Sequence, residues 1–266
     1  MDNLFNRNKF QFTNAITLYK NFSLTIFLVA SLTFSGCRKI WDYFEDHHNP
    51  TVNCRIEEIR FNVETQDGET QSGNASFSYD NNGNPTLVNI YDPSDGWPKD
   101  KGFRCDNDNR LIVYVDDMFI TTWHKYTYVN PSTIIDSAFI YSSGDYMVTD
   151  RPDTYVEVRV SKLTLDAWGR IIKEESDLFG LTTYRYDFNG NLTRPVVTYT
   201  NKLNIRQTNK VWQLIDRDYS IHQPAGEVET FNSYNLPYQF KNEIPVPGLL
   251  STFSIYPGAV VSYRCE

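Results

Sequence analysis

Methionine and histidine are scarce, with 3 and 4 residues in a chain of 266. Few histidines, and no Cys or His at ligand spacing, leave no basis for a structural metal site. Lys and Arg form no stripe, and the formal charge is −8, so the footprint of a nucleic-acid binder is missing. No G-x-S-x-G elbow, H-E-x-x-H helix, phosphate-cradling glycine loop or C-x-x-C is present, so no reaction and no cofactor follow from the sequence. The apolar run at 22–35 carries no charge but is too short to span a bilayer.

Tyr and Phe together number 35, and Thr and Val are plentiful, a composition that favours strands over helices. The expected fold class is all-β.

Arg7, Lys9 and Lys20 precede the run "FSLTIFLVASLTFS", as in a secretory signal. The stretch ahead of it is long for a signal, which points to a start codon downstream. Ser35 and Gly36 then stand before Cys37, and this "FSGC" resembles the lipobox of bacterial lipoproteins, with Phe34 in place of the usual leucine. The resemblance implies cleavage before Cys37, acylation of its sulfur and new amino terminus, and attachment to a membrane through those chains. The expected organisation is a signal peptide over 1–36, a tether over 37–52 ending at Asn49-Pro50, and a β-meander domain over 53–266. Removing Arg7, Lys9, Lys20 and Asp2 from 25 bases and 33 acids leaves 22 against 32, so anionic head groups repel the body. The anchor must do the attaching. No Asp follows Cys37, which favours the outer membrane, and the acids Asp42, Glu45 and Asp46 resemble the export tag of Bacteroidetes surface lipoproteins. His47 and His48 read as part of the solvated tether.

One phrase recurs: "FSYDNNGN", "FRCDNDNR", "LTLDAWGR" and "YRYDFNGN". Each sets apolar residues three and one before an aspartate, which places both on one face of a strand. Each carries Asp80, Asp106, Asp166 or Asp187 to accept hydrogen bonds from the turn amides that follow. The fourth slot, Gly83, Asn109, Gly169 or Gly190, must accept positive φ. Leu87, Leu111, Ile171 or Leu192 then starts the returning strand. The words read as hairpin corners spaced 26, 60 and 21 residues apart, so the middle interval has diverged or holds hairpins without the phrase. Further turns are expected at Asp95-Gly96, around Asp116-Asp117 and at Ser143-Gly144-Asp145.

The phrase resembles the YD repeat of RHS-type proteins, and more closely the short YD-bearing lipoproteins of Bacteroidetes. "VWQLIDRDYSIHQPAGEVETFNSYNLPYQF" is similar to their closing segment, where an aromatic-Asn-x-Tyr-x-Leu-Pro phrase makes a last hairpin. The resemblance covers about residues 53 to 240 and implies a curled antiparallel meander of successive hairpins, with one face packed and one wet. Its motif specifies turns, not chemistry.

With Cys37 acylated, Cys54, Cys105 and Cys265 remain, and an exported compartment permits a disulfide. Cys54 opens the first strand-like run and Cys265 ends the last; a bond between them ties the two, the alternative being free buried thiols. Cys105 stands in a slot held elsewhere by Tyr or Leu and reads as a small buried apolar residue. "DNDNR" echoes a calcium loop but reads as a plain turn. Glu174-Glu175 are neighbours on a strand and face opposite ways. His124 and His222 have no evident partner. Asp136-Ser137-Ala138 resembles the O-glycosylation motif of Bacteroidetes.

Trp97, Trp123, Trp168 and Trp212 read as exposed rings for stacking on sugars or on a protein, Trp97 and Trp168 foremost, or alternatively as cross-strand pairs inside the sheet. Three functions follow as expectations: a lipid-anchored scaffold or interaction module at the outer membrane, a glycan-binding surface lipoprotein, or a hydrolase with an unrecognised site. A protein or glycan at the cell surface is the expected partner.

Overall fold

The computed structural model describes residues 53–265 apart from 66, 95–99, 117–120, 142–153, 242–243, 247–249 and 256–257. The signal peptide, Cys37, the tether with His47 and His48, Trp97, and the turns at Asp95-Gly96 and Ser143-Gly144-Asp145 lie outside the described residues, as does Asp117.

Alternating burial marks most strands from the start. In β1 (Cys54–Glu64), Ile59, Phe61 and Val63 are buried while Arg60, Asn62 and Glu64 are exposed, the period of a sheet with one packed face. Hairpin after hairpin follows: β2 (Thr70–Tyr79), β3 (Pro85–Tyr91), β4 (Lys101–Cys105), β5 (Leu111–Asp116), β6 (Thr122–Asn130), β7 (Thr133–Ile140), β8 (Glu157–Leu165), β9 (Ile171–Ser176) and β10 (Gly180–Thr183). Each pairs antiparallel with the next, so the meander is continuous from β1 to β10.

The chain then leaves the sheet. Residues 184–227 cross its inner face and contain β11 (Tyr199–Leu203), a 3-10 turn (Ile205–Thr208), α1 (Lys210–Asp216) and β12 (His222–Pro224). It rejoins through β13 (Val228–Phe231), β14 (Pro237–Phe240), a separate hairpin of β15 (Ile244–Val246) and β16 (Leu250–Ile255), and β17 (Val260–Cys265). β17 slots in beside β1, giving a sheet of 13 strands, ordered β10 to β1 and then β17, β14, β13, which does not close into a barrel. The fold is an open all-β meander with one short α-helix among the described residues. The aromatic-Asn-x-Tyr-x-Leu-Pro phrase does turn a hairpin, β13 to β14, but that hairpin is not the last, because β15 to β17 follow it.

α1 is the element that composition hides. Asn209 caps it, its side chain accepting from Val211 N at 2.9 Å, and Arg217 ends it in the left-handed region with φ 55°. Trp212 is completely buried and meets the edges of Phe77 and Phe103, with ring centroids 6.0 and 5.3 Å away. It is neither an exposed ring nor a cross-strand pair within the sheet, because the crossing segment turns it from a helix into the inner core, with Ile59, Val88, Tyr114, Ile134 and Ile171 in the same cluster.

The helix also reports the curl of the sheet. Asn209 donates to Gly83 O at 3.1 Å in the turn after β2, while Arg217 reaches Glu174 on β9 at 3.6 Å. Those strands would lie about 34 Å apart on a flat sheet at ~4.8 Å per step. The helix between the two side chains is only about 12 Å long. The sheet must wrap around it.

A smaller cluster, Val113, Val115, Trp123, Phe139 and Tyr141, packs on the opposite face. Trp123 is 4% exposed there and sits edge-on to Phe139 at 5.6 Å, its neighbour across β6 and β7, so for this ring the cross-strand alternative holds and the exposed one does not.

Candidate functional site

The aspartate words form one kind of turn. In each, the aspartate N donates to the carbonyl four residues on at 2.9 Å, and the amide three residues on donates back at 3.0 to 3.1 Å. The carboxylates of Asp80, Asp106 and Asp166 also each accept two turn amides, and that of Asp187 accepts one from Asn191 N. Gly83, Asn109, Gly169 and Gly190 have φ of 83°, 60°, 77° and 77°. Burial would raise the carboxyls of Asp80 and Asp106, but side-chain donors, Asn84 and Arg110 respectively, and turn amides outweigh it and hold both below the ordinary value. Asp106 is thus engaged by its own turn and Arg110. The fourth word differs from the others in that only a single bridge, Tyr186 to Leu192, follows its turn.

Asn232 makes a fifth copy that the aspartate pattern does not reveal. Its side chain accepts from Tyr234 N and Leu236 N at 3.0 Å each, and Asn235 has φ 63°.

Tyrosines of the phrase and beside it, Tyr79, Tyr128, Tyr186 and Tyr199, do more than fill an apolar slot. Arg170 sits against Asp166 and places its guanidinium 4.3 Å from the ring centre of Tyr186, whose hydroxyl donates to Ile171 O at 3.3 Å. Arg110, paired with Asp106, lies 4.7 Å over Tyr128, whose hydroxyl donates to Leu111 O at 3.1 Å. Tyr79 and Tyr199 likewise donate to Ile56 O and Leu192 O. Each hydroxyl ties one strand or segment to the next across the sheet end. Cys105 holds this slot with no hydroxyl; burial, then the nearby Asp80 and Asp106, push its thiol up to about 12, so it is no thiolate nucleophile.

Meander topology puts the turns after β2, β4, β6 and β8 at one end of the sheet, and Asn84 donates to Asn109 at 2.9 Å between two of them. Trp168 lies in this row, about half exposed, with Arg170 4.6 Å over its indole. Cys54 enters the sheet at the same end, in register with Cys265 and disulfide-bonded to it.

No protein-family model matches the chain, and no curated protein does.

The second concentration of chemistry is largely buried between the sheet and the crossing segment, with Arg194 at its exposed rim. Asp136 accepts from His124 Nδ1 at 2.9 Å and from Arg217 at 2.7 Å. Arg217 continues to Glu174, which accepts from the Tyr184 hydroxyl at 2.9 Å. Arg206 meets Asp216 at 2.5 Å, Arg194 meets Asp218 at 2.9 Å, and Lys101 reaches Asp116 at 3.1 Å. Burial would raise the Asp136 carboxyl, yet His124 and Arg217 outweigh it and keep it below the ordinary value. Burial and neighbouring charges push the hydroxyls of Tyr114 and Tyr126 up. Every group here is committed to another, so the network welds the crossing segment to the sheet.

His124 therefore has the partner that the sequence does not disclose. His222 has one as well, Asn191 at 3.2 Å, and burial lowers its pKa. Glu174 and Glu175 face opposite ways, the first into this network and the second toward Lys162 and Lys173. In Asp136-Ser137-Ala138, the aspartate is buried in the network and only the serine's side belongs to the other face.

Proposed function

We propose that this protein is a lipid-anchored, non-enzymatic scaffold or interaction module of the YD-repeat lipoprotein kind, held at the bacterial outer membrane by acyl chains on Cys37. The observation that carries the reading is the disulfide between Cys54 and Cys265, because such bonds persist in exported compartments. Its position fits an anchor. Sixteen residues separate Cys37 from Cys54, and the tether meets the sheet where β1 and β17 are covalently joined. The committed state of the buried charges supports a scaffold over an enzyme.

Expression in a Gram-negative host with an alkyne palmitate analogue tests this. The expected result is label and outer-membrane fractionation for the native chain, both lost in Cys37→Ser. An unlabelled native chain in the soluble fraction would refute the anchor.

A second reading, glycan binding, is favoured by the half-exposed Trp168 indole beneath Arg170. Binding on a glycan array that Trp168→Ala leaves intact would remove Trp168 from any such site.

A further inference from the structure

Three of the five turns capped by Asp or Asn carry an aromatic ring at the tip. Trp168, Phe188 and Tyr234 stand one or two residues after the capping Asp166, Asp187 and Asn232. Phe188 is 87% exposed, and the other two rings are about half exposed. The turns do not need these rings. Asn82, Asp108, Trp168 and Tyr234 each give the cap a backbone amide, and the tips of the two remaining turns are Asn81-Asn82 and Asn107-Asp108. A ring kept in water where a polar residue serves the fold equally well points to a surface outside the chain.

All three tips lie at one end of the sheet. The turn after β8 is in the row with those after β2, β4 and β6. Arg170, 4.6 Å over Trp168 and 4.3 Å over Tyr186, sets the Phe188 turn beside it. β14 runs antiparallel to β17, which finishes at Cys265, so the Asn232 turn before β14 is at that end too, and the Tyr263 hydroxyl donates to Pro237 O there at 2.6 Å. This is the end where Cys54 enters in register with Cys265. β1, with 11 residues, then carries the chain about 35 Å away from it. Sixteen residues lie between Cys37 and Cys54, a reach of about 60 Å at most.

Charge separates the two ends. The connections that leave the sheet at the far end, 65–69, 92–100, 117–121, 141–156 and 177–179, contain ten Asp or Glu against two Lys or Arg. The five capped turns contain five acids against two bases, and four of those acids accept amides of their own turns. Phe179 is 79% exposed at the far end, close behind Asp177, so exposure alone does not choose between the ends. The tether and the charge do, because an anionic membrane surface repels the far end.

We propose that the rim formed by Trp168, Phe188 and Tyr234 rests in the headgroup region of the lipid bilayer, with the acidic end of the sheet turned away from it. Aromatic rings favour that depth. The tether makes the contact intramolecular, so three small apolar tips suffice. The proposal rests on acylation of Cys37, and lipid around Trp168 would leave no ring there for a glycan.

The test reconstitutes the acylated chain, purified from the host membrane, in vesicles of phosphatidylethanolamine and phosphatidylglycerol, with mass spectrometry of Cys37 as a separate readout. Phe188→Cys and, at the far end, Phe179→Cys each take a polarity-sensitive thiol label. Cys105 competes weakly, since burial pushes its thiol up to about 12. Doxyl lipids should quench the label at 188 about threefold more than the label at 179. Trp168→Ser/Tyr234→Ser in the Phe188→Cys chain should remove about half of that quenching. Equal quenching at 188 and 179 in an acylated chain, or quenching at 188 that the double substitution leaves unchanged, would overturn this proposal and leave the anchor standing. A chain with no acyl group on Cys37 would overturn both.

Discussion

The carboxylate of Asp136 accepts the guanidinium of Arg217 at 2.7 Å, across 81 residues of chain. The carboxylate is buried and the guanidinium mostly so, and His124 completes the aspartate's partners. Removing one member of a buried pair strands the other charge, which costs about 3–5 kcal/mol. Asp136→Ala should therefore lower the urea midpoint of the domain sharply at neutral pH without a change in m-value.

Acid should act through the same group. Asp136, Asp80 and Asp106 all have carboxyls held below 3.8 in the folded protein. A depressed carboxyl contributes stability that is complete above its unfolded value, near 4, and is lost as pH falls through its folded value. The urea midpoint should hold between pH 7 and 5 and drop below pH 4. In Asp136→Asn that drop should be shallower, since one of the three contributors is gone.

Gly73 faces Phe61 directly across β1 and β2, and the ring lies over the glycine. A Cβ there would stand 2.6 Å from the Phe61 Cζ and 2.7 Å from the backbone oxygen of Tyr91. The ring can swing aside, but the carbonyl belongs to the β2–β3 ladder, so Gly73→Ala should destabilise by about 1–3 kcal/mol. Thermal unfolding of that variant beside Phe61→Leu/Gly73→Ala would separate the two clashes, and only part of the loss should return in the double variant.

The hydroxyl ties give a milder prediction. Tyr79→Phe removes a single 2.8 Å bond to Ile56 O and leaves the ring in place. A loss of about 0.5–1.5 kcal/mol is expected by chemical denaturation.

Reduction should cost more. The bond between Cys54 and Cys265 closes a loop with a sequence separation of 211, and its loss is worth roughly 2–5 kcal/mol. Melting with and without reductant, with Cys54→Ser/Cys265→Ser as reference, measures it; non-reducing peptide mapping should place Cys105 outside any bridge.

The parts of this fold that are legible in the sequence are the local ones. Asp80, Asp106 and Asp166 act within four residues of themselves, so their turns can be read directly, and the period-2 burial of β1 follows from its spelling. What lies between strands leaves no such mark. The Tyr79 hydroxyl finds Ile56 O, 23 residues away, and nothing near either residue announces it. His124 meets Asp136 only because β6 and β7 adopt one register. Lys210–Asp216 is two turns long, too short for a 3.6-residue period to stand out among aromatic and β-branched neighbours. Trp123 and Trp212 look alike in the sequence, but one packs on the outward face and the other at the centre of the inner core.

The crossing segment also acts as a ruler. Its 44 residues must run from the β10 end of the sheet back to β13, while α1 grips strands on the way. Each additional hairpin would widen the sheet by about 10 Å and carry the two ends apart unless the curl tightened. The number of repeats in this chain is therefore set by the reach of a segment that contains only one of them, and insertion of a hairpin between β1 and β10 would have to be matched by lengthening residues 184–227.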